Sequence, residues 1–237
     1  GGTDFKSFYS KSQGAVLSAA IDKYVYVHLK VHDPLFQEKY RISYSVVEHC
    51  HSRDEIKNDI VRASLELLDI DLPLQISTSA DLPANSGLGS SSSFAVALLL
   101  ALHKLRGEQV GASQLAEEAC QVEISILGSP IGKQDQYSTA FGGLNLFEFF
   151  ADETVKIEPI STETPIIKDI FANSSMIWTQ QTREANTVLK DQEDRAEKNI
   201  EALIKLRDLT YILRNQLKED EPSKDKIGKF ISAGWRI

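Results

Sequence analysis

Residues 81–94 form the stretch that most constrains what this chain can fold into. They read Asp-Leu-Pro-Ala-Asn-Ser-Gly-Leu-Gly-Ser-Ser-Ser-Ser-Phe. A run with apolar residues at alternate positions, 72–78, leads into this stretch, and an apolar run, 94–102, leads out of it. The first pattern predicts a strand, and the second predicts a buried helix that continues to about Lys104. The sequence therefore predicts a strand, a loop of small residues and a helix in direct succession.

The small residues of this loop suit it to bind an anion. Gly87 and Gly89 allow a positive φ and let a ligand approach the backbone closely. The serines at 90–93 stand at or just before the helix N-terminus, where N–H groups without a helical partner and the helix dipole favour negative charge. A serine hydroxyl beside a phosphate is also a candidate magnesium ligand. The loop is thus interpreted as a cradle for a polyphosphate, and the alternative is a flexible Gly/Ser linker.

Two familiar phosphate-binding loops do not fit this stretch. A P-loop needs a lysine directly after its last glycine, and Ser90 follows Gly89. The dinucleotide-binding fingerprint needs a third glycine three residues after the second, and Ser92 occupies that place. The loop therefore belongs to neither class.

The composition describes an ordinary globular chain with an acidic balance. Of its 237 residues, 42% are apolar and 25% are charged, and the formal net charge is −8. This charge argues against a nucleic-acid partner, because such binding normally requires a basic face. It does not argue against ATP, because a local dipole and a metal ion can hold phosphates in an acidic protein. The two cysteines predict neither a disulfide framework nor a zinc site, and His49-Cys50-His51 is interpreted as a polar connection.

No stretch of the sequence predicts a membrane segment or a signal peptide. The longest apolar run, 94–102, has nine residues, which is too short to span a bilayer. We therefore expect a cytoplasmic protein with no membrane partner and no nucleic-acid partner. The sequence leaves a homodimer open.

A second predicted helix carries a carboxylate on its apolar side. Ser113 is the predicted N-cap of a helix from Gln114 to about Leu127. At about 100° per residue, the apolar residues form one arc, and Glu123 falls inside that arc. A buried, unpaired charge is costly, so Glu123 needs a cation or becomes protonated. A magnesium ion held together with ATP phosphates is one such partner, and a structural pair with a buried arginine or lysine is the alternative.

Periodicity predicts further elements around these two stretches. Ser52 and Glu55 match a capping box ahead of a helix that ends near Asp69. Helical spacing recurs between Leu189 and Leu217, and 218–226 is a predicted solvated loop. The remaining predicted strands are 25–31, 41–47, 144–149 and 176–179.

Three stretches resemble the GHMP kinases, the superfamily of galactokinase, homoserine kinase, mevalonate kinase and phosphomevalonate kinase. Pro83-x-x-x-Gly87-Leu88-Gly89-Ser90-Ser91-Ser92 resembles the second motif of the superfamily. Gly1-Gly2-Thr3-Asp4-Phe5 resembles the end of the first motif in its sugar-kinase branch. Gly132-Lys133-Gln134-Asp135-Gln136-Tyr137, followed by Phe141-Gly142-Gly143, is similar to the D-glycero-D-manno-heptose 7-phosphate kinases in particular. The resemblance covers nearly the whole chain.

The resemblance implies an α+β protein with the GHMP kinase fold. Residues 1–160 would form an ATP-binding domain like ribosomal protein S5 domain 2, and residues 161–237 a truncated ferredoxin-like domain. The polar segment 152–168 is the predicted boundary, and the active cleft would lie between the domains. The family's basic strand before the first motif and its third, glycine-rich motif are not in the sequence, so the chain reads as a fragment or as the ordered part of a longer one.

The resemblance also implies transfer of a phosphoryl group from ATP, with Mg²⁺, to a sugar hydroxyl. The implied acceptor is a small sugar phosphate, with the anomeric hydroxyl of a heptose 7-phosphate as the first choice. Ser91 and Glu123 would bind magnesium, and a glutamate in the family lies about as far ahead of its aspartate as Glu123 lies ahead of Asp135, 12 residues. The implied ATP-binding residues are Pro83, Asn85, Ser86, Gly87, Leu88, Gly89, Ser90, Ser91 and Ser92.

The implied catalytic residues are Asp135 and Lys133. Asp135 would receive or polarise the proton of the acceptor hydroxyl. Lys133 would lower the pKa of Asp135 and so keep it ionised. The alternative for Asp135 is a turn or N-cap residue.

Four further residues are implied to bind the acceptor: Gly2, Thr3, Asp4 and Arg183. Asp4 would accept hydrogen bonds from sugar hydroxyls, and its alternative is the N-cap of the next helix. Arg183 would hold a substrate phosphate, and its alternative is an exposed structural arginine.

Other functions stay open on the residues alone. One is a GHMP kinase that acts on another sugar or small alcohol. Another is a non-catalytic nucleotide- or sugar-binding relative. A third is an S5-like RNA-binding module, against which the net charge of −8 argues.

Overall fold

The computed structural model describes residues 2–33, 35–84, 86–177, 199–219 and 223–234. Contacts between Cα atoms divide the chain into two compact units. The first unit contains residues 1–21, 130–134 and 142–237, and the second contains residues 22–129 and 135–141. The predicted boundary between residues 160 and 161 lies inside the first unit, and it stays a prediction about the domains of the family.

The described residues fold as a mixture of helices and strands, which confirms the α+β class. The strands are β1 (Gly14–Ala19), β2 (Val25–Val31), β3 (Tyr40–Ser43), β4 (Val47–Cys50), β5 (Leu74–Ala80), β6 (Leu144–Phe149) and β7 (Val155–Ile160). The α-helices are α1 (Lys6–Tyr9), α2 (Asp59–Leu67), α3 (Ser90–Leu105), α4 (Ala112–Cys120), α5 (Gln134–Phe141), α6 (Pro165–Ala172), α7 (Ile200–Leu217) and α8 (Lys224–Gly234). Within the described ranges, none of the helices combines the length and the apolar character that a membrane crossing requires.

A four-stranded sheet in the order β2-β5-β3-β4 forms the base of the second unit. The outer pairs are antiparallel, and β3 runs parallel to β5. The predicted strand at 25–31 is confirmed, and the strand predicted at 72–78 begins at Leu74, directly after Pro73, which has no N–H to donate. The single strand predicted at 41–47 is wrong: the chain turns at Tyr44, whose N–H donates to Val46, and forms β3 and β4 instead.

Helix α3 lies in the core of the second unit. Its buried apolar side chains are Ala95, Val96, Leu98, Leu99 and Leu102. They pack in one cluster with side chains of the sheet, among them Ile42, Leu74 and Ile76. This packing confirms the buried helix predicted after the loop. A helix that is apolar on nearly all sides is stable only when neighbouring elements surround it.

The predicted start of helix α2 is wrong. Ser52 precedes only a 3₁₀ turn, Arg53–Glu55, and its side chain caps no helix. Helix α2 begins later, at Asp59, and Asn58 caps it by accepting the N–H of Val61 at 3.1 Å. The Glu48 carboxylate accepts the N–H groups of Lys57 and Asn58, which holds this segment extended until the cap.

The helix predicted from Gln114 to Leu127 also differs in its details. It begins at Ala112 with Gly111 as N-cap, so Ser113 lies inside the first turn. After Cys120 the backbone widens into π-helical turns over Gln121–Ile126. Such turns occur frequently at functional sites, and a sequence pattern with a fixed period does not predict them.

The first unit contains a three-stranded antiparallel sheet in the order β1-β6-β7. All residues of the central strand β6 are buried, and this strand has the predicted bounds. The polar segment 152–168, predicted as a boundary, contains β7 and the start of α6.

Three helices complete the first unit. Ile167 of α6, Leu217 of α7 and Ile227 of α8 form an apolar cluster with Leu144 and Ile160 of the sheet. Helix α7 confirms the end of the predicted helical region, whereas α8 begins at Lys224, inside the loop predicted at 218–226. Of the strand predicted at 176–179, the first two residues are in no strand, and the last two lie outside the described residues.

Candidate functional site

The loop of small residues ends directly at the first turn of α3. Gly87 has a φ of +75° and Gly89 a φ of +66°, which are left-handed conformations that favour glycine. Gly89 is the N-cap of α3, and its carbonyl accepts the N–H of Ser93 at 2.9 Å. The N–H groups of Ser90–Ser92 therefore lie in the first turn, where no carbonyl of the helix can accept them. The predicted positive φ and the predicted start of the helix are confirmed, and the first turn is suited to bind an anion.

The carboxyl group of Asp135 lies against the backbone of Gly89. A Cβ atom built on Gly89 would be 3.1 Å from Asp135 Cγ and 3.3 Å from Asp135 Oδ1. Any side chain at position 89 would have to displace this carboxyl group as well as adopt a positive φ. Asp135 itself is exposed. The structure thus brings an exposed carboxyl group to the loop, although the two residues are far apart in the sequence.

Glu123 is buried beside the same loop, with 2% of its surface exposed. The Ser91 hydroxyl donates to Glu123 Oε1 at 2.5 Å. Gln136 Nε2 donates to Glu123 Oε2 at 2.7 Å. The burial of Glu123, predicted from helical spacing, is confirmed. No lysine or arginine in the described part of the chain forms an ion pair with it, which argues against the structural pair that the sequence left open.

The Ser91 hydroxyl and the Glu123 carboxylate suit a magnesium ion. Mg²⁺ takes oxygen ligands and is commonly held by one or two protein groups, with water and substrate phosphates completing its coordination shell. Here two oxygen donors lie side by side at the helix start, and the carboxylate has no cationic partner among the described residues. The described ranges hold no group of three or more His, Cys, Asp or Glu that could bind a metal ion. The donors present therefore fit a metal ion that arrives with a nucleotide.

In the first unit, the turn at Thr3 is anchored to β1. Thr3 Oγ1 donates to the carbonyl of Ala15 at 2.8 Å and accepts the N–H of Ala15 at 2.9 Å. This pair of hydrogen bonds fixes the backbone that carries Asp4. Thr3 is fully buried, so its hydroxyl acts in the fold of the turn.

Asp4 is a buried carboxyl group with one oxygen atom free to accept. Its Oδ2 accepts the N–H of Gln134 at 3.0 Å, and Oδ1 has no hydrogen-bond partner among the described residues. Burial raises the pKa of Asp4, although the N–H of Gln134 acts in the opposite direction. Asp4 does not cap α1, whose N-cap is Phe5. A hydroxyl group of a ligand is a chemically suitable donor to Oδ1.

Gly132 approaches Asp4 so closely that no other residue fits there. A Cβ atom at position 132 would overlap Asp4 Oδ2. This glycine therefore lets the chain pass directly over the carboxyl group before α5 begins at Gln134.

The ammonium group of Lys133 binds Glu153. Lys133 Nζ lies 2.5 Å from Glu153 Oε2, Lys6 Nζ lies 2.8 Å from Oε1, and the Tyr9 hydroxyl donates to Oε2 at 2.7 Å. Burial raises the pKa of Glu153, but the hydrogen bonds from these three groups outweigh it and lower the pKa to about 2. The predicted action of Lys133 on the pKa of Asp135 stays a prediction. Sequence reasoning missed Glu153, because its partners are distant in the sequence.

The other predicted site residues vary in exposure. Ser92 is buried, Ser86, Ser90 and Gly2 are half-buried, and Pro83, Gly87, Leu88 and Ser91 are exposed. Asn85 and Arg183 lie outside the described residues, so their roles stay predictions. Sequence reasoning also missed the contact of Gln136, which is fully buried.

The comparisons with known proteins agree on one family. Residues 56–143 match the GHMP kinases N terminal domain. The chain is 30% identical to D-glycero-alpha-D-manno-heptose 7-phosphate kinase of Campylobacter jejuni over an alignment of 217 residues. This alignment covers 86% of this chain and 63% of that protein. The chain is 26% identical over 191 residues to the galactokinase of Thermotoga petrophila, which covers 76% of this chain and 54% of that protein.

A solved structure with a similar fold is a D-glycero-D-manno-heptose 1-phosphate kinase from Bacteroides thetaiotaomicron. Its TM-score is 0.69 at 24% identity, and the alignment covers 90% of this chain and 72% of that chain. At this identity the likeness supports the fold.

The matched family range contains the small-residue loop, Glu123 and Asp135. The chain spans 63% of the length of the heptose kinase and 54% of the length of the galactokinase. The family model names the same superfamily that the sequence motifs resemble. Residues 56–143 of this chain form a GHMP kinases N terminal domain.

Proposed function

We propose that this protein transfers a phosphoryl group from ATP to the hydroxyl group of a sugar. The observation that carries the proposal is the placement of Asp135 against Gly89, at a helix start that is suited to bind phosphates. Phosphoryl transfer requires mainly positioning and charge stabilisation. The N–H groups of the helix start can stabilise negative charge on the phosphates, and the carboxyl group of Asp135 beside them can position an acceptor hydroxyl. The match of residues 56–143 to the GHMP kinases N terminal domain and the likeness to two sugar kinases support the same reaction.

ATP would bind with its β- and γ-phosphates at the loop from Pro83 to Ser92. The N–H groups in the first turn of α3 would donate to the phosphate oxygens, and the helix dipole would add attraction. Ser91 and Glu123 would hold Mg²⁺, which supplies positive charge to the transferring phosphoryl group. Asn85 is counted among the ATP-binding residues only because it lies within the sequence motif.

Asp135 would act on the acceptor. It would orient the acceptor hydroxyl and receive or polarise its proton, while the hydroxyl oxygen bonds to the γ-phosphorus and the bond from that phosphorus to the bridging oxygen of ADP breaks. Asp4 Oδ1 would accept a hydrogen bond from a sugar hydroxyl, within the turn formed by Gly2 and Thr3. Lys133 is a second candidate for the reaction, and Arg183 is a candidate for holding a substrate phosphate.

The acceptor that we propose is the anomeric hydroxyl of D-glycero-D-manno-heptose 7-phosphate, which would give the 1,7-bisphosphate. The support is the heptose 7-phosphate kinase of C. jejuni at 30% identity. The likeness to a galactokinase favours a second candidate, a GHMP kinase for another sugar or small alcohol. The proposed location is the cytoplasm.

An acceptor panel tests this proposal. The full-length protein is incubated with ATP and Mg²⁺ and with phosphorylated heptoses, hexoses and small alcohols, and the ADP formed is measured. We expect the highest kcat/KM with the heptose 7-phosphate. A preference for a free hexose would favour the second candidate, whereas binding of ATP–Mg²⁺ by calorimetry without turnover of any acceptor would indicate a non-catalytic relative.

A further inference from the structure

Gln136 makes the second hydrogen bond to the buried carboxylate of Glu123. Its Nε2 donates to Glu123 Oε2 at 2.7 Å, while the Ser91 hydroxyl donates to Oε1. Gln136 is fully buried, so neither water nor another conformer replaces this contact easily. The two contacts together fix the plane of the carboxylate.

The choice of an amide as the partner matters for a metal site. An ionised carboxylate only accepts hydrogen bonds, so the Gln136 amide presents its NH₂ group to Glu123. This donor is neutral, and it orients the carboxylate without cancelling its charge. A lysine or arginine in the same place would form a neutral pair and compete with a metal ion. The Glu123 carboxylate is thus oriented by a neutral donor, and a cation can bind at the side of Ser91 without displacing a lysine or arginine.

Gln136 also follows Asp135 directly in the chain. Its side chain reaches the buried Glu123, whereas the exposed Asp135 carboxyl group lies at Gly89. The first turn of α5 therefore sets the positions of two carboxylates: Asp135 is part of the turn, and Glu123 is hydrogen-bonded to Gln136 in the same turn. A shift of this turn would change both positions together.

We propose that Gln136 is a positioning residue for the magnesium site: it holds Glu123 so that Oε1 faces Ser91 and the phosphate-binding turn. This inference rests on the proposed function, because it assumes that Ser91 and Glu123 bind the magnesium ion of the nucleotide. Outer partners of metal ligands typically change metal affinity by about 10- to 100-fold when they are removed.

The test is Gln136→Met in the full-length protein, which keeps the length of the side chain and removes the donor. Binding of a non-hydrolysable ATP analogue is measured by calorimetry at a series of Mg²⁺ concentrations and in EDTA. We expect the Mg²⁺ concentration for half-maximal binding to rise by about tenfold in this variant. Binding in EDTA and the KM for the acceptor should not change.

Thr139→Val is the matched control. The Thr139 hydroxyl contacts the Ser93 hydroxyl at 3.1 Å, so this contact also joins α5 to α3, but it does not involve Glu123. We expect the Thr139→Val variant to bind the ATP analogue with the Mg²⁺ dependence of the unaltered protein. An equal rise in both variants would show a loss of packing and overturn the positioning role.

Two further results separate this inference from the proposed function. If Gln136→Met binds the analogue with the Mg²⁺ dependence of the unaltered protein, Gln136 has no positioning role, although the kinase proposal stands. If the unaltered protein itself shows no effect of Mg²⁺, the magnesium site and this inference both fail. Should Gln136→Met not fold, Gln136→Asn takes its place, because it keeps the amide but shortens its reach. We expect this variant also to raise the Mg²⁺ concentration for half-maximal binding, and an unchanged concentration would overturn the role.

Discussion

Ser91 and Glu123 are joined by a hydrogen bond of 2.5 Å, from the serine hydroxyl to Glu123 Oε1. The bond connects the first turn of the helix after the glycine loop to a carboxylate that is buried on another helical segment. Neither group has a cationic partner among the described residues. Because a buried charge without such a partner is costly, the arrangement favours a site that a metal ion completes.

Glu123→Gln should weaken the use of magnesium. The variant keeps the size of the side chain and an oxygen atom for the Ser91 hydroxyl, but it removes the charge. We expect the Mg²⁺ concentration for half-maximal turnover to rise by at least about tenfold, which is the cost typical of altering even an outer partner of a metal.

The matched control is Glu117→Gln. Glu117 is exposed on α4, which leads into the π-helical turns that carry Glu123. The control removes the same charge from the same helical region, and its Mg²⁺ dependence should not change. A Glu123→Gln variant with the Mg²⁺ dependence of the control would exclude Glu123 as a ligand.

Gly89→Ala should damage the site more than the fold. An alanine at a φ of +66° costs about 1–2 kcal/mol of stability, and its Cβ would also press on the Asp135 carboxyl group. We expect a lower melting temperature together with a large loss of kcat. Gly107→Ala is the control, because Gly107 has a φ of +74° and no atom within 4 Å of the added Cβ.

The comparison of these two glycine variants separates strain from function. Both should lose similar stability, and only Gly89→Ala should lose activity. Equal activities after correction for the folded fraction would show that the contact between Gly89 and Asp135 has no catalytic consequence.

Much of this site could be predicted from the sequence, and the reasons are local. The glycines at 87 and 89 and the serines after them specify a turn and a helix start through neighbouring residues, so the loop has the predicted form. The burial of Glu123 followed from its place on an apolar face. Both signals depend on residues within a few positions of one another.

The contacts that could not be predicted are those between distant residues. The Glu153 carboxylate forms ion pairs with Lys6 and Lys133 and accepts a hydrogen bond from Tyr9. These partners lie in other parts of the chain, so no periodic pattern in the sequence predicts the contacts. The capping box at Ser52 was predicted wrongly because the Glu48 carboxylate, from a strand, binds the backbone ahead of α2. Tertiary hydrogen bonds therefore override a local signal there.

Asp4→Asn should raise the stability of the protein and lower its activity. Burial raises the pKa of Asp4, so the charged form is the less stable one in the folded protein. The stabilisation that Asp4 contributes is therefore complete below its ordinary pKa, and it is lost as the pH rises through the raised pKa of the folded state. At neutral pH the neutral asparagine should raise the melting temperature.

The same variant should impair use of the acceptor. An asparagine can still accept the N–H of Gln134, but it offers no charged acceptor to a sugar hydroxyl. A hydrogen bond to a charged group contributes about 1.5–3 kcal/mol, so we expect KM for the acceptor to rise by roughly 10- to 100-fold. Calorimetry with ATP–Mg²⁺ should give an unchanged affinity; a weaker ATP affinity would contradict a role of Asp4 in acceptor binding alone.

The ionisation of His103 should make the free energy of unfolding depend on pH. The ring is 3% exposed, and its nitrogen atoms lie 2.7 Å from carboxylate oxygens of Glu108 and Glu118. Burial lowers the pKa of His103, but the hydrogen bonds with Glu118 and Glu108 outweigh it, so the pKa is raised. A raised pKa means that the stabilisation is complete below the ordinary value of about 6.5 and is lost as the pH rises through the raised value.

The measurement is the free energy of unfolding in urea across this pH range. Between pH 6.5 and alkaline pH, about the window set by the ordinary pKa, the unaltered protein should lose stability and His103→Gln should lose less. His28→Gln is the control, because His28 is exposed on β2. Parallel curves for His103→Gln and the unaltered protein would contradict the proposed charge on His103.

The most direct test of the central claim is the turnover of Asp135→Asn with ATP, Mg²⁺ and the best acceptor of the panel. The claim is that a small-residue loop, Glu123 and Asp135 together form a site for phosphoryl transfer. Removal of a catalytic acid or base typically costs about 10²- to 10⁴-fold, so we expect kcat to fall by that factor while calorimetry shows ATP–Mg²⁺ binding unchanged. A folded Asp135→Asn variant that turns over at the rate of the unaltered protein would contradict the claim.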